Sequence, residues 1–266
     1  MKTAFLGLGG MGQGMAANLA KAGLLSGVYN RTQAKAEAFA DSHGVTAYDN
    51  PAAACEVARA IVLCVSADAD VLEMIDALVP ALSSDHIVID CSTVASDTAR
   101  EAGERVAGAG AAFVDAPVSG GTEGAKQGTL SIMVGAADNV FAKIEPVLSA
   151  MGKSITHMGP IGAGQATKAV NQIMVAGINQ AVCEAMRFAK AVDLPLDKVV
   201  DVVGSGAAGN WFVNHRGKTM VADNYVVCAG YNSLGLLRNL GLKIPLLPIK
   251  AYSLHINQCP AAENWR

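Results

Sequence analysis

Charge is scarce in this sequence. Charged residues make up 16% of its 266 positions, and the formal net charge is −3 with a pI near 5.9. No basic cluster breaks that balance, so the electrostatic footprint of a nucleic-acid binder is missing. The six cysteines are Cys55, Cys64, Cys91, Cys183, Cys228 and Cys259. None forms a C-x-x-C pair, and no histidine stands at metal-ligand spacing from any of them. That pattern predicts no metal site and a reducing, cytoplasmic setting, with Cys64 and Cys91 as small apolar residues in strands. No apolar run reaches the length of a membrane span. Met1-Lys2 and the apolar stretch after it look like the start of a signal peptide, but glycines and Gln13 interrupt the required run. Internal repeats and low-complexity segments are also missing. What remains is 52% hydrophobic, enough for a sizeable core in one large domain or two ordinary ones.

The first half alternates strand and helix signals. Strands are predicted at Thr3–Leu8, Leu25–Asn30, Val45–Tyr48, Ala60–Val65 and Ile87–Cys91, then Phe113–Ala116, Leu130–Val134 and Ser154–Met158. Helices are predicted at Met11–Ala22, Gln33–Ser42, Pro51–Val57, Asp70–Leu82, Ser96–Ala107 and Asn139–Met151. Asn50 is read as the cap of the third helix with Pro51 at its first position, and Ser96 as the cap of the fifth. Continuous apolar strands between helices indicate an α/β fold, a parallel sheet covered on both faces and doubly wound. The pattern changes after about residue 160. From Gly164 to Val192 one long helical pattern runs without proline. Ile173, Met174, Ile178, Val182, Met186 and Phe188 surround it rather than lining one stripe, which predicts a helix buried all round. Another helix is expected near Val199–Val203, so the C-terminal part reads as helical.

The most informative stretch runs from Thr3 to Leu19. Its apolar start passes through Gly7, Gly9 and Gly12, which fit G-x-G-x-x-G between a strand and a helix. Gly7 permits a sharp turn, Gly9 lets a pyrophosphate approach the backbone, and Gly12 lets the helix pack closely on the strand. The helix start then offers free N–H groups to phosphates. Gly7, Leu8, Gly9, Gly10, Met11 and Gly12 are therefore candidate cofactor contacts, against the plainer reading of a glycine-rich turn that binds nothing. Asn30 lies 23 positions after Gly7, near the spacing at which dinucleotide folds read the adenosine ribose. An aspartate there would repel a 2′-phosphate. Asn30 does not, and Arg31 adds planar donors suited to phosphate, with Thr32 and Lys35 beside it. This favours NADP over NAD. The alternative is that Asn30-Arg31-Thr32 only caps the next helix.

Two further loops follow strand ends. Val65 and Ser66, in the run Cys64–Asp68, and Thr93, after Asp90-Cys91-Ser92, are placed to line a cofactor, with helix capping as the alternative for Asp68 and Thr93. Ser119, Gly120 and Gly121 offer a hydroxyl and exposed N–H groups to a carboxylate, against a plain surface turn. Lys168 and Asn171 stand three apart on the long helix and share a face. A lysine on so apolar a helix is a candidate proton carrier, with its pKa lowered by partial burial. The alternative is a lysine at the exposed helix end.

With these segments in view, the sequence resembles the β-hydroxyacid dehydrogenases, the family of 3-hydroxyisobutyrate dehydrogenase and tartronate semialdehyde reductase. Phe5–Gly12 with Met15–Leu19 matches the family's cofactor segment. Asp115–Gly121 with Gly128–Leu130 matches its substrate segment, and Gly162–Lys168 through Asn171-Gln172 its catalytic helix. The segments fall in family order and cover about residues 1–225. The resemblance implies an N-terminal Rossmann domain over residues 1–160 that binds NADP or NAD. A helical substrate and dimerisation domain over 161–266 is implied to follow, usually in a homodimer or homotetramer. It also implies reversible oxidation of a short 3-hydroxy acid to its semialdehyde. Lys168 would be the acid/base and Asn171 its partner. Ser119, Gly120 and Gly121 would hold the substrate carboxylate, and Thr93 would lie by the nicotinamide.

After about residue 225 the chain departs from the family. A G-F…K-D-L pattern there becomes Gly230-Tyr231…Arg238-Asn239-Leu240, so Arg238 takes the place of a lysine near the cofactor. Leu242–Pro248 and the tail do not read as closing helices, and the expectation is a truncated helical domain. Three readings follow. The first is a 3-hydroxyisobutyrate-type dehydrogenase. The second is an NADPH-dependent reductase of tartronate semialdehyde, succinic semialdehyde or glyoxylate. The third is a cofactor-binding protein that has lost catalysis.

Overall fold

The computed structural model describes residues 1–216 and the short strand pieces Tyr225–Val226 and His255–Ile256. Arg238 and the atypical segment around it lie outside the described residues. A first compact unit runs over Met1–Asn171, and a second begins at Gln172.

The first unit is built on β1 (Thr3–Leu6), β2 (Leu25–Tyr29), β3 (Thr46–Ala47), β4 (Ala60–Leu63), β5 (Ile87–Asp90) and β6 (Ala112–Asp115). These six strands pair in parallel in the order β3-β2-β1-β4-β5-β6. β1, β4 and β5 are buried at every position, as strands must be when helices cover both faces. Alternation divides their side chains between two cores. Phe5, Val62 and Ile89 point to one side and pack with Met15 and Leu19 of α1 (Gly12–Lys21). Leu6, Ile61 and Val88 point to the other. They pack with Val71 and Ile75 of α4 (Asp68–Leu78) and Ala99 and Val106 of α5 (Ser96–Gly108). α2 (Gln33–His43) and α3 (Ala53–Val57) complete the first half.

Beyond β6 the sheet becomes mixed. β7 (Val118–Ser119) and β6 both pair antiparallel with β8 (Leu130–Gly135), and β9 (Gly152–Gly159) pairs parallel with β8. Between them lie α6 (Gly121–Gln127) and α7 (Asp138–Met151). α8 then runs Ala163–Ala191, and its first turns belong to the first unit.

Register places the strand ends together. Tyr29 pairs with Leu6, Leu6 with Leu63, Leu63 with Asp90, and Asp90 with Asp115. The loops after β1, β2, β4, β5 and β6 therefore leave one edge of the sheet side by side.

In the second unit, Val182 and Met186 of α8 are buried with Val200 of α9 (Leu196–Gly204) and Val213 of α10 (Trp211–Arg216). The expectation of a helix buried all round, by other helices or by a second subunit, is met only in part within this one chain. In the chain as described, Ile173, Met174 and Phe188 are 73%, 60% and 67% exposed, so burial follows one stripe. Two caps also differ. Ser96 is the first residue of α5 rather than its cap, which is Ala95, and Asp68, the first residue of α4, ties down the start of α5. Its Oδ1 accepts from Ala95 N at 2.9 Å and from Thr98 Oγ1 at 2.6 Å. Asn50 Oδ1 does accept from Ala53 N, but the helix begins at Ala53, beyond Pro51.

Candidate active site

The glycine loop joins β1 to α1 at this edge. Gly7 has φ +104°, and a Cβ there would run into the Cys64 carbonyl oxygen. Only glycine meets both conditions. Gly9 is different: no atom lies within 4 Å of where its Cβ would be. The packing of the chain itself does not require glycine there, and the backbone is open on that side. α1 begins after Met11 with no side chain bonded to its first N–H groups. Of the first-turn groups, Gln13 N already donates to Gly9 O at 3.2 Å, and no side chain competes with an anion for the others.

Asn30 is committed to the loop. Its Oδ1 accepts from Leu8 N at 3.0 Å, and its Nδ2 donates to Thr32 O at 3.1 Å. Its side chain therefore shapes the turn between the β1 and β2 ends. Arg31 is exposed and reaches Asp70 at 3.4 Å, a pairing that solvent makes weak. Thr32 is the N-cap of α2 without a side-chain capping bond. On the next loops, Val65 N donates to Ser92 Oγ at 2.9 Å, while Ser66 and Thr93 are exposed.

Ser119, Gly120 and Gly121 do not form a plain surface turn. They lead from β7 into α6, with Gly120 at φ +138° and no side chain capping the helix. α6 packs backbone to backbone on α1. A Cβ on Gly14 would meet Ala125 C at 2.7 Å, and Asn18 Nδ2 donates to Ala125 O at 2.7 Å. The glycine loop and the Ser119 loop are thereby joined.

Lys168 enters from α8. It is 8% exposed, and its Nζ donates to Val118 O at 2.8 Å, at the threshold of the Ser119 loop. Burial lowers its pKa from the ordinary lysine value. This excludes the exposed helix end. Asn171, three residues on, is half-buried. A buried amine thus stands against the loop of Ser119, Gly120 and Gly121, and that loop leads into α6, which packs on α1.

Residues 2–159 match the NAD binding domain of 6-phosphogluconate dehydrogenase, and residues 162–228 match the NAD-binding domain of NADP-dependent 3-hydroxyisobutyrate dehydrogenase. The 3-hydroxyisobutyrate dehydrogenase of Pseudomonas aeruginosa is 39% identical over 79% of this chain and 72% of its own. The chain belongs to the β-hydroxyacid dehydrogenase family. It is thus an oxidoreductase acting on CH–OH groups with a nicotinamide cofactor. The family includes the NAD-dependent L-serine dehydrogenase of P. aeruginosa, 35% identical over 78% of this chain and 70% of its own. A solved Mycobacterium tuberculosis 3-hydroxyisobutyrate dehydrogenase with L-serine superposes with a TM-score of 0.77. It is 28% identical, over 92% of this chain and 89% of that one.

The residues present fit the family's cofactor, since Gly9 leaves the backbone open and α1 leaves its first N–H groups uncapped. Sequence reasoning gave no individual role to two contributors, Asp115 and Gln165. Asp115 caps α8, its two carboxylate oxygens accepting from Gly162 N at 2.7 Å and Gln165 N at 2.8 Å. Burial nevertheless pushes its carboxyl above the usual range. The available signal was position, because Asp115 ends a strand at the ligand edge and Gln165 shares a helix face with Lys168. Cys64 and Cys91 carry no disulfide, and burial pushes the Cys64 thiol up to about 12, which keeps it unreactive. Among the described residues no cluster suited to a metal ion occurs, and no helix is long and apolar enough to cross a membrane.

Proposed function

We propose that this chain catalyses the reversible, NADP-preferring oxidation of a short 3-hydroxy acid of the 3-hydroxyisobutyrate class to its semialdehyde, with Lys168 as the acid/base. The observation that carries this reading is the placement of the Lys168 amine, buried and bonded to the carbonyl of Val118 beside Ser119, Gly120 and Gly121. The N–H groups and hydroxyl of that loop would hold the substrate carboxylate. Its hydroxyl-bearing carbon would then lie toward Lys168 and Asn171. In oxidation the neutral amine takes the hydroxyl proton at Nζ. In reduction the ammonium returns it to the carbonyl oxygen, stabilising charge that develops mainly in the transition state. The bound nicotinamide supplies the hydride acceptor in one direction and the donor in the other. Lysine suits the task because burial brings its pKa toward the working pH.

Preference for NADP is supported by the uncharged Asn30 and by Arg31, held only by an exposed pairing. Arg31 also favours a second reading, an NADPH-dependent reductase of tartronate semialdehyde, succinic semialdehyde or glyoxylate. Glycine positions 7, 9 and 12 with Met11, Val65, Ser66, Thr32 and Thr93 complete the proposed cofactor contacts. The exposed Ile173, Met174 and Phe188 support the homo-oligomer the resemblance implies.

The test is turnover of purified protein with NADPH and NADH against 3-hydroxyisobutyrate, L-serine and the three carbonyl acids. Lys168→Ala should reduce turnover by at least about 100-fold while leaving cofactor affinity within about threefold. Near-normal turnover in that variant refutes the acid/base assignment. Cofactor binding without turnover on any substrate favours a protein that has lost catalysis.

A further inference from the structure

Gln165 is buried on α8, one turn before Lys168, and is 2% exposed. Its Oε1 accepts from Val94 N at 3.2 Å, and its Nε2 donates to Ser92 O at 2.8 Å. Those two backbone groups flank Thr93, which is exposed between two buried neighbours. Both partners have fixed polarity, so one orientation of the amide satisfies both and the flipped one satisfies neither. The grip extends further on each side. Ser92 N donates to Asp90 Oδ1, and Ser92 Oγ accepts from Val65 N, each at 2.9 Å. The Gln165 backbone N–H itself donates to Asp115. The ends of β4, β5 and β6 and the start of α8 thus share one buried hydrogen-bond frame. An apolar side chain of equal length would fill the same space, but it would not align two backbone groups.

We infer that Gln165 is a positioning residue for the reaction: it fixes the backbone on both sides of Thr93 in register with the helix turn that carries Lys168. The side of the site assigned to the nicotinamide and the proton-transferring amine are held in one frame by a single amide. This rests on the roles proposed above for Thr93 and Lys168. It goes beyond them in naming what sets their separation.

The experiment uses the full chain and the best carbonyl substrate with NADPH. Gln165→Met keeps length and volume and removes both bonds. Misplacement on this scale should lower kcat about 30–100-fold with cofactor affinity within about threefold. The alkaline limb of the kcat/KM profile for reduction should also move upward, because a loosened α8 admits water to an amine whose pKa burial holds down. A purely structural role would lower kcat only in proportion to the folded fraction and leave that limb in place. Gln165→Glu probes the same frame. Its protonated carboxyl again donates to Ser92 O and accepts from Val94 N, so activity relative to the unmodified chain should rise on acidification. A kcat for Gln165→Met within about threefold of the unmodified chain overturns the inference, as does a loss with an unmoved pH profile. Lys168→Met, assayed in parallel, separates the two levels. Full turnover there removes the acid/base reading itself. An inactive Lys168→Met beside a fully active Gln165→Met removes only the positioning role.

Discussion

Asp90 offers a sharp test of how this site edge is held. It ends β5, is fully buried, and uses only one carboxylate oxygen: Oδ1 accepts from Ser92 N, while Oδ2 has no partner. Burial pushes its pKa from 3.8 up to about 6, with the nearby Asp115 and Asp68 adding to the rise. A raised carboxylate pKa means that the folded chain binds the proton more tightly than the unfolded one. Stability is therefore greatest below about pH 4 for this group and is lost as pH rises through 6. The full span from 3.8 to about 6 corresponds to about 3 kcal/mol. Almost all of that is lost by pH 7, and about 1 kcal/mol of it is regained at pH 5. Asp90→Asn removes the titration and keeps the acceptor for Ser92 N. Its amide N–H groups find no acceptor, a cost of about 1–3 kcal/mol that does not change with pH. The net effect at pH 7 lies between neutral and about 2 kcal/mol stabilising. The pH dependence is the cleaner quantity. Urea unfolding followed by far-UV circular dichroism at pH 7 and pH 5 should show the variant's advantage shrinking by about 1 kcal/mol on acidification. Tryptophan fluorescence is unsuitable, because both tryptophans, Trp211 and Trp265, lie outside the unit that holds Asp90. An advantage that is constant between the two pH values, or that grows at pH 5, would refute the buried-charge account.

Other expectations follow from the same geometry. Gly7→Ala meets both a left-handed φ and the Cys64 carbonyl, so it should lose about 2–4 kcal/mol of stability in denaturant titration. Gly9→Val meets nothing in the protein. Its melting temperature should stay within about 2 °C, while NADPH affinity by fluorescence titration falls at least about tenfold. Arg31→Ser should weaken NADPH binding about tenfold, the worth of a charge-assisted hydrogen bond, and leave NADH within about twofold. Equal losses for the two cofactors would remove Arg31 from any role at a 2′-phosphate.

The fold was largely readable from local pattern. Apolar runs such as Ala60–Leu63 and 87–89 occur in strands buried on both faces. Gly7 and Gly12 carry backbone and packing demands that show in spacing alone. Other features had no local signature. β7 is two residues long and α6 seven, too short for periodicity to register. The exposed face of α8 was also unreadable, because an apolar helix surface does not say which neighbours cover it.

The amino-acid order thus decided where strands, helices and sharp turns form, because φ freedom, apolar periodicity and missing side chains act over a few residues. It also placed Lys168 near the start of a long, largely apolar helix. The fold alone decided what that lysine meets. The partnership of Asp115 with Gly162 spans 47 residues, that of Lys168 with Val118 spans 50, and that of Gln165 with Ser92 spans 73. Such bonds follow from strand order and register, which bring the ends of β4, β5 and β6 to one edge and lay the start of α8 across it. A hydrogen bond between distant groups depends on position in space, and only the assembled sheet supplies that position.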